Sequence, residues 1–151
     1  MIDRLDHFVL TTAQPDEIVR FYTAVLGMTL ETFRNGQRLA LKFGRSKINI
    51  HVQGNAYEPK AHAPGIGTLD FCFIAAVPLE QVIASLEKHQ VAIIEGPCIK
   101  TGAMGDVGIS LIRPGNFGLN HSARIVLGSR GNLAPQRAQN LSLAPTGCPQ
   151  S

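Results

Sequence analysis

The chain has no tryptophan, only 6% aromatic residues and just three cysteines in 151 positions. Cys72, Cys98 and Cys148 are odd in number, widely spaced and form no Cys-x-x-Cys pair. That pattern excludes a disulfide framework and a cysteine-built zinc site, and reads as free thiols in a reducing compartment. No apolar run approaches the ~20 residues needed to span a bilayer, and no basic-then-apolar segment opens the sequence. The expected location is therefore the cytoplasm, with no membrane partner. Charge is sparse as well: 17% charged residues and a formal net charge of +3. Residues 127–151 hold Arg130 and Arg137 and no acid, so two of the three net charges belong to that segment. The remainder is close to neutral, with no basic stripe interleaved with aromatics, which argues against nucleic acid as a partner.

What is present is patterned. Ile2–Thr12 alternates as a strand does, with Leu5, His7 and Val9 on one face and Asp6, Phe8 and Leu10 on the other. From Pro15, apolar residues at Ile18, Val19, Phe21, Tyr22, Val25 and Leu26 predict a helix ending at Gly27. Pro at the first turn, Asp16 and Glu17 behind it and a terminal Gly are the expected start and stop signals. Thr29–Phe33, Gln37–Phe43 and Lys47–Gln53 predict strands joined by turns at Asn35-Gly36 and Gly44–Ser46. After a stretch rich in Pro and Gly the pattern restarts: strand Thr68–Ala75, helix Pro78–His89, strands Ala92–Glu95 and Gly108–Arg113.

The restart is a repeat. A shift of 63 positions lays Pro15 on Pro78, Glu17 on Glu80, Val19 on Val82, Leu10 on Phe73 and His7 on Asp70. The expected fold is α+β: two paired βαβββ modules forming an open barrel-like cleft, the second with an atypical last strand. The expected boundaries are one domain over 1–126 (module one 1–56, linker 57–67, module two 68–126). Residues 127–151, rich in Ala, Pro, Gln, Asn and Ser, are expected to be a disordered low-complexity tail.

Alternation sorts the polar residues by face. Ile48, Ile50 and Val52 share one face of their strand, and Asn49 and His51 take the other; Asp70 and Cys72 lie opposite Leu69, Phe71 and Phe73. His7, His51 and Asp70 thus fall on faces turned away from the helices. Two imidazoles and a carboxylate suit a divalent metal such as Zn, Ni, Mn or Fe. The plainer alternative is that each is a hydrogen-bonded structural residue, with Asp70 capping a turn or pairing with Lys60. His62 and His89 read as structural, and Cys72 as a small wall residue.

The motifs "LDHFVLTT", "FYTAVLGM", "INIH", "EPKA", "LDFCFI", "PLEQVIASLE" and "EGP", in that order, resemble the vicinal oxygen chelate superfamily. The likeness runs from Ile2 to Arg113 and is nearest to short glyoxalase-domain proteins of the lactoylglutathione-lyase-like and virulence-associated kind. It implies paired βαβββ modules, a homodimer, and a divalent metal held in the cleft by the first and last strands of each module. It also implies a small-molecule substrate whose two oxygens chelate that metal. Carried over by position, His7 and His51 match the two ligands of module one, and Asp70 the first-strand ligand of module two, where histidine is common.

The fourth ligand in such proteins is a glutamate on a closing strand resembling "RDPDGNLIE". Here "RPGNFGLNH" stands instead, and His121 occupies the glutamate's place by count. Its neighbours depart from the pattern. Codons for "GNFGLNHS", shifted by one base, can read "GQFWIES", which restores an aromatic-Ile-Glu run. Glu95 is a candidate base, and Lys100 and Thr101 candidate substrate-binding residues; each also reads as an ordinary exposed residue, as do Arg38 and Lys42. Three functions stand side by side. The first is a glyoxalase-like lyase or isomerase. The second is a ring-cleaving dioxygenase or fosfomycin-type thiol transferase. The third is a non-catalytic binding module or inactive remnant with a frame-shifted last strand.

Overall fold

The structure, a computed structural model, describes residues 1–103, 105–113 and 125–129. These residues fall into two compact units, one spanning Met1–Leu69 and the other beginning at Asp70.

The first unit contains β1 (His7–Thr12), α1 (Pro15–Arg20) widening into a π-helical turn at Phe21–Val25, β2 (Thr29–Phe33), β3 (Arg38–Phe43) and β4 (Ser46–Val52). Pro15 opens α1, Asp16 and Glu17 sit in its first turn and Arg20 in its last, each placed to suit the helix dipole. Ile18, Phe21, Tyr22 and Val25 form its buried stripe. Gly27 ends it at φ 70°, a left-handed turn that glycine takes without strain. The strand order is β1-β4-β3-β2, with β1 and β4 parallel and the hairpins antiparallel. Leu10, Leu41, Ile48 and Ile50 share one face of this sheet by register, and all are buried. α1 packs on β4, covering that face.

The second unit repeats the order: β5 (Phe71–Ala75), α2 (Leu79–Lys88), β6 (Ala92–Gly102), β7 (Gly105–Arg113) and β8 (Ile125–Ser129). Its strand order, β5-β8-β7-β6, reproduces that of the first, again with a parallel outer pair. Leu79, Val82, Ile83 and Leu86 give α2 its buried stripe. Both units are open mixed sheets carrying one helix, so the α+β class and the repeated βαβββ order expected from the sequence are present. Among the described residues no helix is long and apolar enough to cross a membrane.

Several segments differ from the sequence expectation, four of them for an identifiable local reason. β1 starts at His7 instead of Ile2: its ladder with β4 begins at the His7–Lys47 pair, where the Lys47 amide donates to the Asp6 carbonyl at 3.1 Å, and before it the Ser46 hydroxyl, not a backbone amide, donates to the Leu5 carbonyl at 2.7 Å. β6 continues past Glu95 to Gly102; Gly96 and Pro97 fall in a register shift between Glu95 and Cys98. A bulged edge strand tolerates a proline that a central strand would reject. β7 begins at Gly105 instead of Gly108, so Lys100 and Thr101 lie in the β6–β7 ladder, opposite Val107 and Asp106, and not in a loop. The closing strand β8 reaches Ser129, three residues into the segment expected to be a tail from 127.

Candidate functional site

The face of the first sheet opposite α1 carries most of its polar residues, and its register arranges them in rows. One step beyond the Leu39–Ile50 pair, Arg38 of β3 stands beside His51 of β4, and Thr11 of β1 pairs His51 on its other side. The next row is Ala40, Asn49 and Val9, and the one after it Lys42, Lys47 and His7. Alternate residues on a strand are ~6.6 Å apart, so His51 and His7 share a face but lie two rows, or roughly 13 Å, apart along it.

His51, Thr11 and Ala40 are the buried residues of that face. His51 is 2% exposed, and its Nδ1 has no hydrogen-bond partner. Nearby, Asn49 Oδ1 and the Tyr57 hydroxyl are also buried and unpartnered. The Tyr57 ring lies against the imidazole, centroids 4.0 Å apart at 49°, and the Arg38 guanidinium sits 3.6 Å from the Tyr57 centroid. Burial lowers the pKa of His51, and the charges of Arg38 and Lys60 lower it further. The ring is thereby held neutral with a nitrogen unused, in the chemical form that binds a metal or accepts a proton.

The far row is different in kind. His7 is exposed and hydrogen-bonded through Nδ1 to Asp6 Oδ2 at 2.8 Å. That contact, together with the positive charges of Arg4 and Lys47, holds the Asp6 carboxyl below its ordinary pKa. Lys42 and Lys47 converge on Glu31, at 3.8 and 3.5 Å, and the Lys47 ammonium lies 5.0 Å from the Phe33 ring.

The other expected site residues are scattered. Asp70 is exposed and immediately precedes β5 instead of lying within the first strand of its unit. Lys60, its alternative partner, pairs with Glu58. Glu95 lies on β6, opposite Leu111. Thr101 is exposed. His121 lies outside the described residues. His89 takes the structural role expected of it, its Nδ1–H donating to the Ser85 carbonyl at 2.8 Å. Cys72, expected to be a small wall residue, is exposed, and partial burial of its thiol pushes its pKa up. Among the described residues no three His, Cys, Asp or Glu side chains stand together closely enough to hold a metal ion. The neutral, unpartnered nitrogen of His51 fits a divalent cation as one ligand. Tyr57 was missed by reading 57–67 as linker; its only signal was an aromatic among small and polar residues.

Comparison with known proteins places this geometry in a family context. The model of the "Glyoxalase/Bleomycin resistance protein/Dioxygenase superfamily" matches residues 4–103, from before β1 to the end of β6. Virulence protein STM3117 of Salmonella typhimurium is 42% identical over 107 residues, 71% of this chain and 74% of that protein. Glyoxalase domain-containing protein RDO1 of Mycosarcoma maydis is 40% identical over 103 residues, covering 68% of this chain and 57% of its own length. Among solved structures, integron cassette protein VCH_CASS1 from the mobile metagenome of V. cholerae superimposes with a TM-score of 0.79 at 37% identity. That match covers 87% of this chain and 98% of the other.

Proposed function

The chain belongs to the glyoxalase/bleomycin resistance protein/dioxygenase superfamily, and on that premise we propose that it is a metal-dependent, glyoxalase-like enzyme of the lyase or isomerase type acting on a small oxygenated substrate. The observation that carries this reading is His51. A buried imidazole without a hydrogen-bond partner is costly to keep, on the order of 1–3 kcal/mol for an unsatisfied polar group, and is explained by a ligand it serves. His51 would hold the metal, with Asp70 and His121 as the further ligands the family resemblance implies; His7, two rows away along the same face, would not reach the same ion. The ion (Zn, Ni, Mn or Fe) would supply Lewis-acid polarisation of a substrate oxygen.

The chain's own residues supply the rest. Burial and the neighbouring cations keep His51 unprotonated, and the Tyr57 ring fixes the tilt of its imidazole. Glu95 is the proposed base for moving a proton between adjacent carbons, and Lys100 and Thr101 are proposed to contact substrate. A homodimer in the cytoplasm completes the proposal. Quantifying Ni, Zn, Mn and Fe against purified protein tests it: one metal per chain, lost in His51→Ala, supports the reading. Protein that stays metal-free in repleted medium sinks it. Iron as the native metal would direct the search to ring cleavage, and activity with thiols to a fosfomycin-type transfer.

A second reading, a non-catalytic binding module or inactive remnant, is favoured by one observation. The position of the second unit that corresponds to His51 by register is Gly128, which offers no donor. A frame-shifted closing strand would produce that loss. Sequencing the gene across the codons for residues 114–126 decides it: an unshifted frame shared by its relatives removes the frame-shift account.

A further inference from the structure

His51 stands on the sheet face opposite α1, yet it is 2% exposed, and its Nδ1 is closed to solvent. We infer that Tyr57 is the plug of a latch: its ring, carried by residues 54–66 and held by Arg38, closes over His51 and must swing out before the imidazole can meet a metal ion. This latch deepens the reading of His51 above and rests on it for its purpose; the cover over the ring stands without the metal.

The cover is the part of the surroundings that can leave. By register the flanking residues of His51 are Thr11 and Arg38, both fixed in the sheet, whereas Tyr57 comes from a surface segment. Residues 58–64 of that segment are all exposed, while the Tyr57 ring is half-buried with its hydroxyl turned away from solvent. Gly54, at φ 79°, and the bridge between Thr11 and Ile66 mark the two ends. Among the described residues, the hydrogen bonds and ion pairs of 56–64 stay within the segment. The Lys60 amide donates to Glu58 Oε2 at 3.1 Å, and the Lys60 ammonium pairs with the same carboxylate. A segment so lightly tied opens locally without unfolding the sheet beneath it.

Two opposed effects set the balance of the latch. The Tyr57 ring rests on the imidazole at 4.0 Å between centroids and carries the Arg38 guanidinium 3.6 Å from its own centroid, and both contacts favour closure. Closure also leaves the Tyr57 hydroxyl and His51 Nδ1 buried without partners, and opening lets water reach them. An element held by stacking and opposed by two unsatisfied polar atoms is poised between two states.

Carbethoxylation by diethyl pyrocarbonate, read for each histidine by peptide mass spectrometry on the metal-free full chain, tests the latch. His62, exposed on the same segment, is the internal reference. The reagent attacks neutral imidazole, and burial keeps His51 neutral, so slow reaction reports cover and not charge. In the parent, His51 should react at least about tenfold more slowly than His62, in proportion to the fraction of open latch. Tyr57→Ala should remove most of that protection and Arg38→Gln part of it. Tyr57→Phe should react more slowly than the parent, because its closed state no longer buries an unpartnered hydroxyl. His51 reacting as fast as His62 in the parent, Tyr57→Ala leaving it protected, or Tyr57→Phe exposing it as far as Tyr57→Ala would each overturn the latch. The parent comparison and Arg38→Gln keep the test decisive where Tyr57→Ala fails to fold. Zinc uptake by the same proteins separates the two readings. His51 exposed in Tyr57→Ala without zinc binding leaves the latch standing and sinks the metal reading. Zinc binding by the parent, with His51 equally protected in parent and Tyr57→Ala, does the reverse.

Discussion

In the first unit Thr11 faces His51 across β1 and β4; in the second, Ile74 faces Gly128 across β5 and β8. The neighbouring positions diverge in the same direction. Where Asn49 pairs with Ala40, Val126 pairs with Leu111, and where Arg38 flanks His51, Ile109 pairs with Gly128. Strand order, parallel outer pair and helix placement are nevertheless the same in both units. A duplicated βαβββ unit needs only alternation, a helix stripe and turns, and many sequences satisfy those demands. The site chemistry needs particular side chains in one row, and among the described residues the first unit alone assembles them.

The sharpest way to break this contrast is to remove its centre. His51→Ala should abolish metal binding, from one ion per chain to none by elemental analysis, while Asp70→Ala lowers the affinity and leaves measurable occupancy. Equal losses in the two variants would mean that the second unit contributes as much to the site as the first, and the contrast would fail.

The next test asks whether the two units are equivalent as structures. Leu41 and Leu86 are both 0% exposed, one in each unit. Each Leu→Ala change should cost about 2–5 kcal/mol in denaturant unfolding, the range for a buried leucine whose cavity does not collapse. A Leu86→Ala cost well below that range would show that only the first unit carries a tightly packed core.

Much of the fold was legible because its signals are local. Pro15, Gly27 and Asn35-Gly36 mark a helix start, a helix end and a hairpin turn, and the structure has all three. The 63-residue shift that lays Pro15 on Pro78 anticipated the second helix and strand. Less of the site was legible. Alternation told which face His51 and His7 occupy, and both occupy it. Alternation cannot tell the row, because register is set by which backbone groups pair across β1 and β4. The two histidines therefore looked like neighbours and stand two rows apart. Tyr57 escaped for a related reason: it reaches His51 from outside any strand, where no period applies. Glu95 was read as a strand end because Gly96-Pro97 breaks strands in general, whereas an edge strand absorbs them in a bulge.

A third experiment separates stability from function within the first unit. His51→Leu replaces a buried ring whose nitrogen lacks a partner by a hydrocarbon of similar bulk. It should leave the fold as stable as the parent or more so, by up to ~1–2 kcal/mol, while removing metal binding. The same variant carries a pH signature. With its folded-state pKa lowered, His51 takes up a proton more readily when unfolded, so the parent's stability is intact above the unfolded value of ~6.5 and falls as pH drops below it, levelling off below the folded pKa. Thermal melts from pH 7.5 to 5 should show that decline in the parent and much less of it in His51→Leu. A decline of the same size in both would assign the acid sensitivity elsewhere.

The smallest effect sharpens the contrast between rows of one face. Glu31 lies between Lys42 and Lys47 at 3.8 and 3.5 Å, and all three side chains are substantially solvated. Water and salt screen such contacts, and the long lysine side chains lose rotamer freedom in making them, so Glu31→Gln should change unfolding stability by less than about 1 kcal/mol. The change should shrink further in 0.5 M salt, where the Debye length is a few ångströms. Metal content should not move, because the Lys42–Lys47–His7 row lies two rows from His51. A change in metal content on loss of the Glu31 charge would bring the lysine row into the site and undo the separation between the rows.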